Sequence, residues 1–195
     1  MVLVDLGNGL AVELVEAGGR PPVPVTLSTS SGEQNLGAAG GLKIVRIDAN
    51  KTRPLLTISS EGSFNVGDGA TALPAAIYSI DGKLQERPRL SALRTIADGE
   101  GGVSVEARVD SPSFSGSIVL DLDPSSPAGT TLVDASLVLT FGRATESIAI
   151  APVETMFLFN ASNRGDFDDY RPAVHDSEGL WILSGDGQMY WRSLS

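Results

Sequence analysis

Chemistry-bearing side chains concentrate in residues 160–179. This stretch holds the only histidine, His175, with five carboxylates (Asp166, Asp168, Asp169, Asp176, Glu178), two arginines (Arg164, Arg171) and the rings of Phe167 and Tyr170. Carboxylates and imidazole can move protons, guanidinium groups can donate to hydroxyls, and flat rings can stack. Pro172 forbids a helix through the centre, and no apolar run suggests a strand, so the spacing predicts a polar loop. Loops this long inside a compact domain are usually functional or disordered, and the aromatic content favours function.

Several chemistries lack their parts. No phosphate-cradling GxxxxGK[ST] is present, and the glycine-rich residues 62–69 lack a strand-to-helix context. One histidine without cysteine cannot make a structural zinc site, and His175 has no G-x-S-x-G partner for a triad hydrolase. Asp166, Asp168 and Asp169 lack the spaced ligands and terminal glutamate of an EF-hand, so they read as solvated loop acids. Neither metal nor cofactor is therefore expected. A lone histidine is more often structural than catalytic, although Arg171 and Asp176 flank this one. Tyr170, Trp181, Tyr190 and Trp191 form an aromatic set that could stack on sugar faces, and because the hairpin must point Trp181 and its neighbour Ile182 to opposite faces, not all of the set can be buried.

The elements that position these groups read as strands. A chain of 195 residues with 42% hydrophobic and 19% charged residues has the composition of a folded globular protein. Alternating runs between turn residues predict strands at 2–6, 10–16, 23–28, 42–48, 55–59 and 75–80. The apolar spacing of residues 89–97 fits neither strand nor helix period cleanly. Strict alternation at 103–109 is followed by long strands at 114–122 and 132–141, then shorter ones at 148–150 and 155–159. Strands 180–184 and 188–192 flank Gly185-Asp186-Gly187, a three-residue hairpin signal. The fold class is all-β, a β-sandwich.

Composition splits the chain into residues 1–102, a Gly/Ala-rich β-region, and residues 103–195. Residues 1–103 hold 15 of the 22 glycines and carry 11 acids against 9 bases, whereas residues 104–195 carry 13 acids against 5 bases. The Gly-Ala run at 37–41 suggests that the first part is the looser. A net charge of −10 opposes nucleic acid and anionic membranes, and no segment reaches the 18 or so apolar residues of a membrane span. Neutral ligands such as glycans suit this charge better.

The C-terminal motifs resemble the periplasmic glucan biosynthesis family, G and D type. The resemblance is carried by Ala151-Pro152, Met156-Phe157, Asp169-Tyr170-Arg171-Pro172, Val174-His175-Asp176-Ser177, Gly179-Leu180 and Trp191-Arg192. Upstream, residues 107–116 (ARVDSPSFSG) resemble the family's aspartate-serine-proline strand entry, so it spans roughly residues 103–194. It implies a galactose-mutarotase-like β-sandwich, truncated or divergent here, located in the periplasm. It also implies that the ligand is a β-1,2-linked glucan, bound or hydrolysed as by a glycoside hydrolase. On that basis Asp176 is the candidate catalytic acid, and Asp169, Tyr170, Arg171, His175 and Trp191 are candidate glucan-binding residues.

Two departures shape the expectation. Ala173 stands where the family usually has glutamate, and Glu178 where it has aspartate. Hydrolysis needs two carboxyl groups at fixed separation, whereas binding needs a few donors and an aromatic platform, so binding is favoured over turnover. The alternative is a non-catalytic structural or self-associating β-protein that forms homo-oligomers through open sheet edges. The N-terminal MVLVDLGNGL has no basic segment before its apolar run, and does not read as an export signal. Taken as complete, the chain would then be cytoplasmic.

Overall fold

The computed structural model describes residues 3–48, 51–67, 69, 71–79, 81–123, 130–154, 156–163, 165, 170–176 and 178–193. Its strands, in chain order, are β1 (Leu3–Gly7), β2 (Leu10–Val15), β3 (Val23–Thr29), β4 (Gly32–Ala39), β5 (Gly41–Asp48), β6 (Lys51–Ser59), β7 (Ser63–Val66), β8 (Thr71–Ala72), β9 (Ala75–Tyr78) and β10 (Leu84–Glu86). They continue with β11 (Arg89–Ala97), β12 (Val103–Asp110), β13 (Phe114–Leu122), β14 (Val133–Phe141), β15 (Ala149–Ile150), β16 (Val153–Glu154), β17 (Phe157–Phe159), β18 (Val174–His175), β19 (Gly179–Leu183) and β20 (Met189–Ser193). Among the described residues no helix is long and apolar enough to cross a membrane.

The chain divides into two compact units, residues 1–153 and 154–195. In the first, a sheet of order β1-β2-β5-β6-β7-β8-β16 ends where the chain passes from one unit to the other, and a six-stranded sheet runs β14-β13-β12-β11-β3-β4. The second sheet spans the composition boundary near residue 102, because β11 pairs with β12 on one edge and with β3, in parallel, on the other. One apolar cluster draws Val12, Leu42, Ile44 and Leu56 from the first sheet and Val25, Leu93, Val105 and Leu120 from the second. The fold is an all-β sandwich.

Strand alternation explains this core. In β12, Val103, Val105, Ala107 and Val109 are buried, while Ser104, Glu106, Arg108 and Asp110 are not. The register sets Val103 opposite Leu122, Val105 opposite Leu120 and Ala107 opposite Ile118, which continues the apolar row across β13. The ambiguous residues 89–97 form a strand whose register shifts between Leu90 and Ala92. That bulge moves burial from Leu90 to Leu93, Thr95 and Ala97, which is why a single period fails there.

The Gly-Ala run is not loose. Ala39, Gly40 and Gly41 are buried, and a Cβ on Gly41 would lie 2.1 Å from the Ile58 carbonyl oxygen, with φ at +146°. Glycine there lets two backbones approach.

Two predictions concern this core. Phe114→Ala removes one of the largest fully buried side chains and should cost about 3–5 kcal/mol in urea unfolding, whereas exposed Val138→Ala should stay within about 0.5 kcal/mol. Thr95 Oγ1 is buried without a hydrogen-bond partner among the described residues. Thr95→Val should therefore raise stability, by about 1 kcal/mol.

Candidate functional site

In the first unit an open cleft of about 770 Å3 is bounded by Tyr78, Gln85, Glu86, Ser113, Arg143 and the segment through Ser147. Its floor depends on a bulge. Leu84 pairs with Tyr78 and Glu86 with Ile77, so Gln85 is an extra residue in β10. Neighbours on a regular strand face opposite ways, and the bulge lets Gln85 and Glu86 both line the cleft.

Glu86 is fixed by two other segments. Its Oε2 accepts hydrogen bonds from Ser111 Oγ (2.7 Å) and the Ser113 backbone N–H (3.0 Å), and its Oε1 accepts from Ser113 Oγ (2.6 Å) and Arg143 Nη2 (2.9 Å). Ser111-Pro112-Ser113 is the connection between β12 and β13, tightened by the Ser111 N–H bond to Phe114 O at 2.8 Å. Arg143 follows β14 and is held by its Nε donation to Ser113 Oγ (2.6 Å), while Gly142 N–H donates to Ser113 O (3.0 Å).

The Ser113 hydroxyl is the largest cause holding the Glu86 carboxyl below its usual range. Ser111, the Ser113 N–H and the Arg143 charge add to it against the opposing effect of burial. At the rim, Asp81 is lowered by hydrogen bonds from Ser79 and then Lys83.

The second unit holds the sequence-derived candidates. The loop begins as a closed turn, in which Asn160 Oδ1 accepts from the Ser162 and Asn163 N–H groups and Asn163 Oδ1 accepts from the Asn160 N–H. His175 lies opposite Phe157 in the β17–β18 pair, and their rings stack with centroids 5.7 Å apart. The His175 side chain is only 10% exposed, with Glu178 Oε2 at 3.9 Å from Nε2.

Asp176 continues the β17–β18 pairing. Its N–H donates to Met156 O (2.9 Å), and its Oδ2 accepts from Met156 N–H (3.3 Å). Tyr170 is 94% exposed and Arg171 is exposed too. Trp191 pairs directly with Trp181 across the β19–β20 hairpin, both mostly exposed. A Cβ on Gly179 would fall 2.6 Å from Trp191 Cζ2, so only glycine leaves room for that ring.

His175 and Asp176 are thus brought together on one short strand pair, and Trp191 belongs to a separate hairpin. Asp169 lies outside the described residues, as do Arg164, Asp166, Phe167 and Asp168. Sequence reasoning missed Glu86 and Arg143 because long-range strand pairing, not a local motif, joins residues 57 positions apart. The only signal was Asp110-Ser111-Pro112-Ser113, whose hydroxyls turn out to be the clamp.

The family model described as periplasmic glucan biosynthesis protein, MdoG, matches residues 66–195. The chain belongs to the periplasmic glucan biosynthesis family. Its similar relatives include glucans biosynthesis protein G of Cereibacter sphaeroides, 34% identical over 131 residues that cover 66% of this chain and 24% of the relative. The Bradyrhizobium diazoefficiens protein of that name is 36% identical over 129 residues, covering 65% and 25%. That of Shewanella baltica is 38% identical over 93 residues, covering 48% and 17%. The chain therefore spans at most about a quarter of the length of these curated relatives. The periplasmic glucan biosynthesis match begins upstream of residue 103, and so includes Glu86 as well as Ser111, Ser113 and Arg143.

Because folding lowers the Glu86 pKa, its stabilising contribution is present above the unfolded-state value, about 4.3, and is lost as pH falls through the folded value. Glu86→Gln should be less stable than the native chain at pH 7, with the difference shrinking below about pH 4. Urea unfolding at pH 7 and pH 3 reads this, and a difference that does not change with pH would contradict the assignment.

Proposed function

We propose that the chain binds glucan, with the β-1,2-linked backbone as its ligand, within periplasmic glucan biosynthesis. Membership of the family carries this reading. The exposed Trp181–Trp191 pair supports it, because two broad rings at one hairpin offer apolar faces on which sugar rings can stack. The periplasm is the location that goes with this reading.

Asp176 is the acid placed at the sugar, with Tyr170, Arg171, His175 and Asp169 as further contacts. His175 stacked on Phe157 would present a fixed ring edge to a hydroxyl. Binding is favoured over hydrolysis because Ala173 lacks the carboxylate usual in the resemblance and because Asp176 Oδ2 already serves the Met156 N–H. Glycoside hydrolysis would require a second carboxylate at a defined separation from this one.

A second reading, self-association, draws on the hairpin and on β14. Leu180, Trp181, Ile182, Leu183, Met189, Tyr190 and Trp191 are 45–67% exposed. The edge strand β14 can also pair antiparallel with a second copy about Leu137, which sets Asp134 opposite Thr140 and no like charges together. Association that rises with concentration in sugar-free buffer, and is abolished by Val138→Lys, would identify it.

Glucan binding is tested by thermal unfolding with and without linear β-1,2-glucooligosaccharides, since a ligand of the folded state alone raises the transition. The native chain should shift upward. Trp191→Ala and Asp176→Asn should melt as the native chain does without sugar but shift less with it. Asn at 176 keeps an oxygen for the Met156 N–H, so an unfolded variant is not expected. A native transition indifferent to every glucan contradicts the reading.

A further inference from the structure

The cleft beside Glu86 is half of a longer feature. A second depression of about 450 Å3, bounded by Arg89, Asp110 and Pro112, adjoins the same β10 residues, and the two share Gln85 and Glu86. Bulged β10 thus borders both hollows. Each falls in the size range of small-molecule sites, and together they suit an extended ligand.

The lining selects its chemistry. Around the larger hollow, Asp81, Glu86 and Glu146 are balanced in part by Arg143 and by Lys83, whose Nζ lies 3.1 Å from Asp81, and the second hollow sets Arg87 and Arg89 beside Asp110, so the trough carries no field of one sign to select an ion. The Asp81 and Glu146 carboxylates can accept hydrogen bonds from hydroxyls, while the Gln85 amide, the Arg143 guanidinium and the Thr145 and Ser147 hydroxyls can donate. Tyr78, one of only two aromatic residues in the first 103, adds a ring at the wall. A neutral polyhydroxylated chain satisfies both kinds of partner, and needs no compensating charge.

The first-unit trough also has the rigidity of a binding site. Glu86 is pinned by four donors before any ligand arrives, and Arg143 is held by Ser113 as well as Glu86. Little ordering is left for binding to cost.

We propose that the trough on the two sides of Glu86 is a binding site for a segment of neutral glucan several sugar units long, separate from the Asp176 loop and the Trp181–Trp191 hairpin. The proposal rests on the glucan reading above and assigns it a second site.

Calorimetric titration of the native chain and its variants with linear β-1,2-glucooligosaccharides tests it. Tyr78→Ala removes the ring, and Ala144→Trp fills the larger hollow from an exposed position where the added ring need not enter the core. Both should weaken binding at least tenfold, and Ala144→Trp should do so with an unchanged urea midpoint. Trp191→Ala should leave a trough-dependent component of binding. Native affinity in both trough variants, with loss confined to Trp191→Ala or Asp176→Asn, would overturn the proposal and leave the glucan reading standing. No binding by the folded native chain would overturn both.

Discussion

The packing of two apolar strand rows against one another is the constraint on which the first unit depends. Each sheet is amphipathic at the two-residue period of its strands, and only the face-to-face arrangement takes Val105, Leu93 and Leu120 out of water together with Ile44, Leu42 and Leu56. Within each sheet, glycine lets neighbouring strands approach closely. Gly116, between β12 and β14, would clash through a Cβ only 1.9 Å from the Val138 carbonyl oxygen, much as Gly41 would against Ile58.

Polar features of the first unit grow from the margins of this core. The β12–β13 connection supplies Ser111 and Ser113, the end of β14 supplies Arg143, and the bulged β10 supplies Glu86. A partly buried carboxylate is costly unless its lone pairs are met, and here each oxygen accepts from two donors. The result is a fixed carboxylate–guanidinium pair at the edge of the cleft. The second unit works differently: its small strand pairs hold His175 and Asp176 through local backbone contacts, and its hairpin leaves its largest rings in water.

Much of the sandwich was legible because its strands alternate. Residues 103–109 and 114–122 announce one buried face each, and the hairpin around Asp186 announces its turn. Short strands such as β7, β8 and β16 carry too few residues to show a period, and β4 hides its pairing in Glu33, Gln34, Asn35 and small residues. Bulges obscured β11 in the same way, since each shifts the parity of burial.

Of the candidate site, the loop's composition and the family resemblance could be read directly. The stacking of His175 on Phe157 and the use of Asp176 by Met156 could not, because both depend on a pairing between residues about 20 positions apart. The Glu86 clamp was less visible still, as its parts lie on three segments joined only by the folded sheets.

The most direct test of glucan binding is a two-dimensional amide NMR titration of the native chain with linear β-1,2-glucooligosaccharides. The account predicts saturable shifts for Trp181 and Trp191 in the hairpin and for residues beside Glu86 in the trough. A well-dispersed spectrum that stays unchanged at saturating sugar would contradict it.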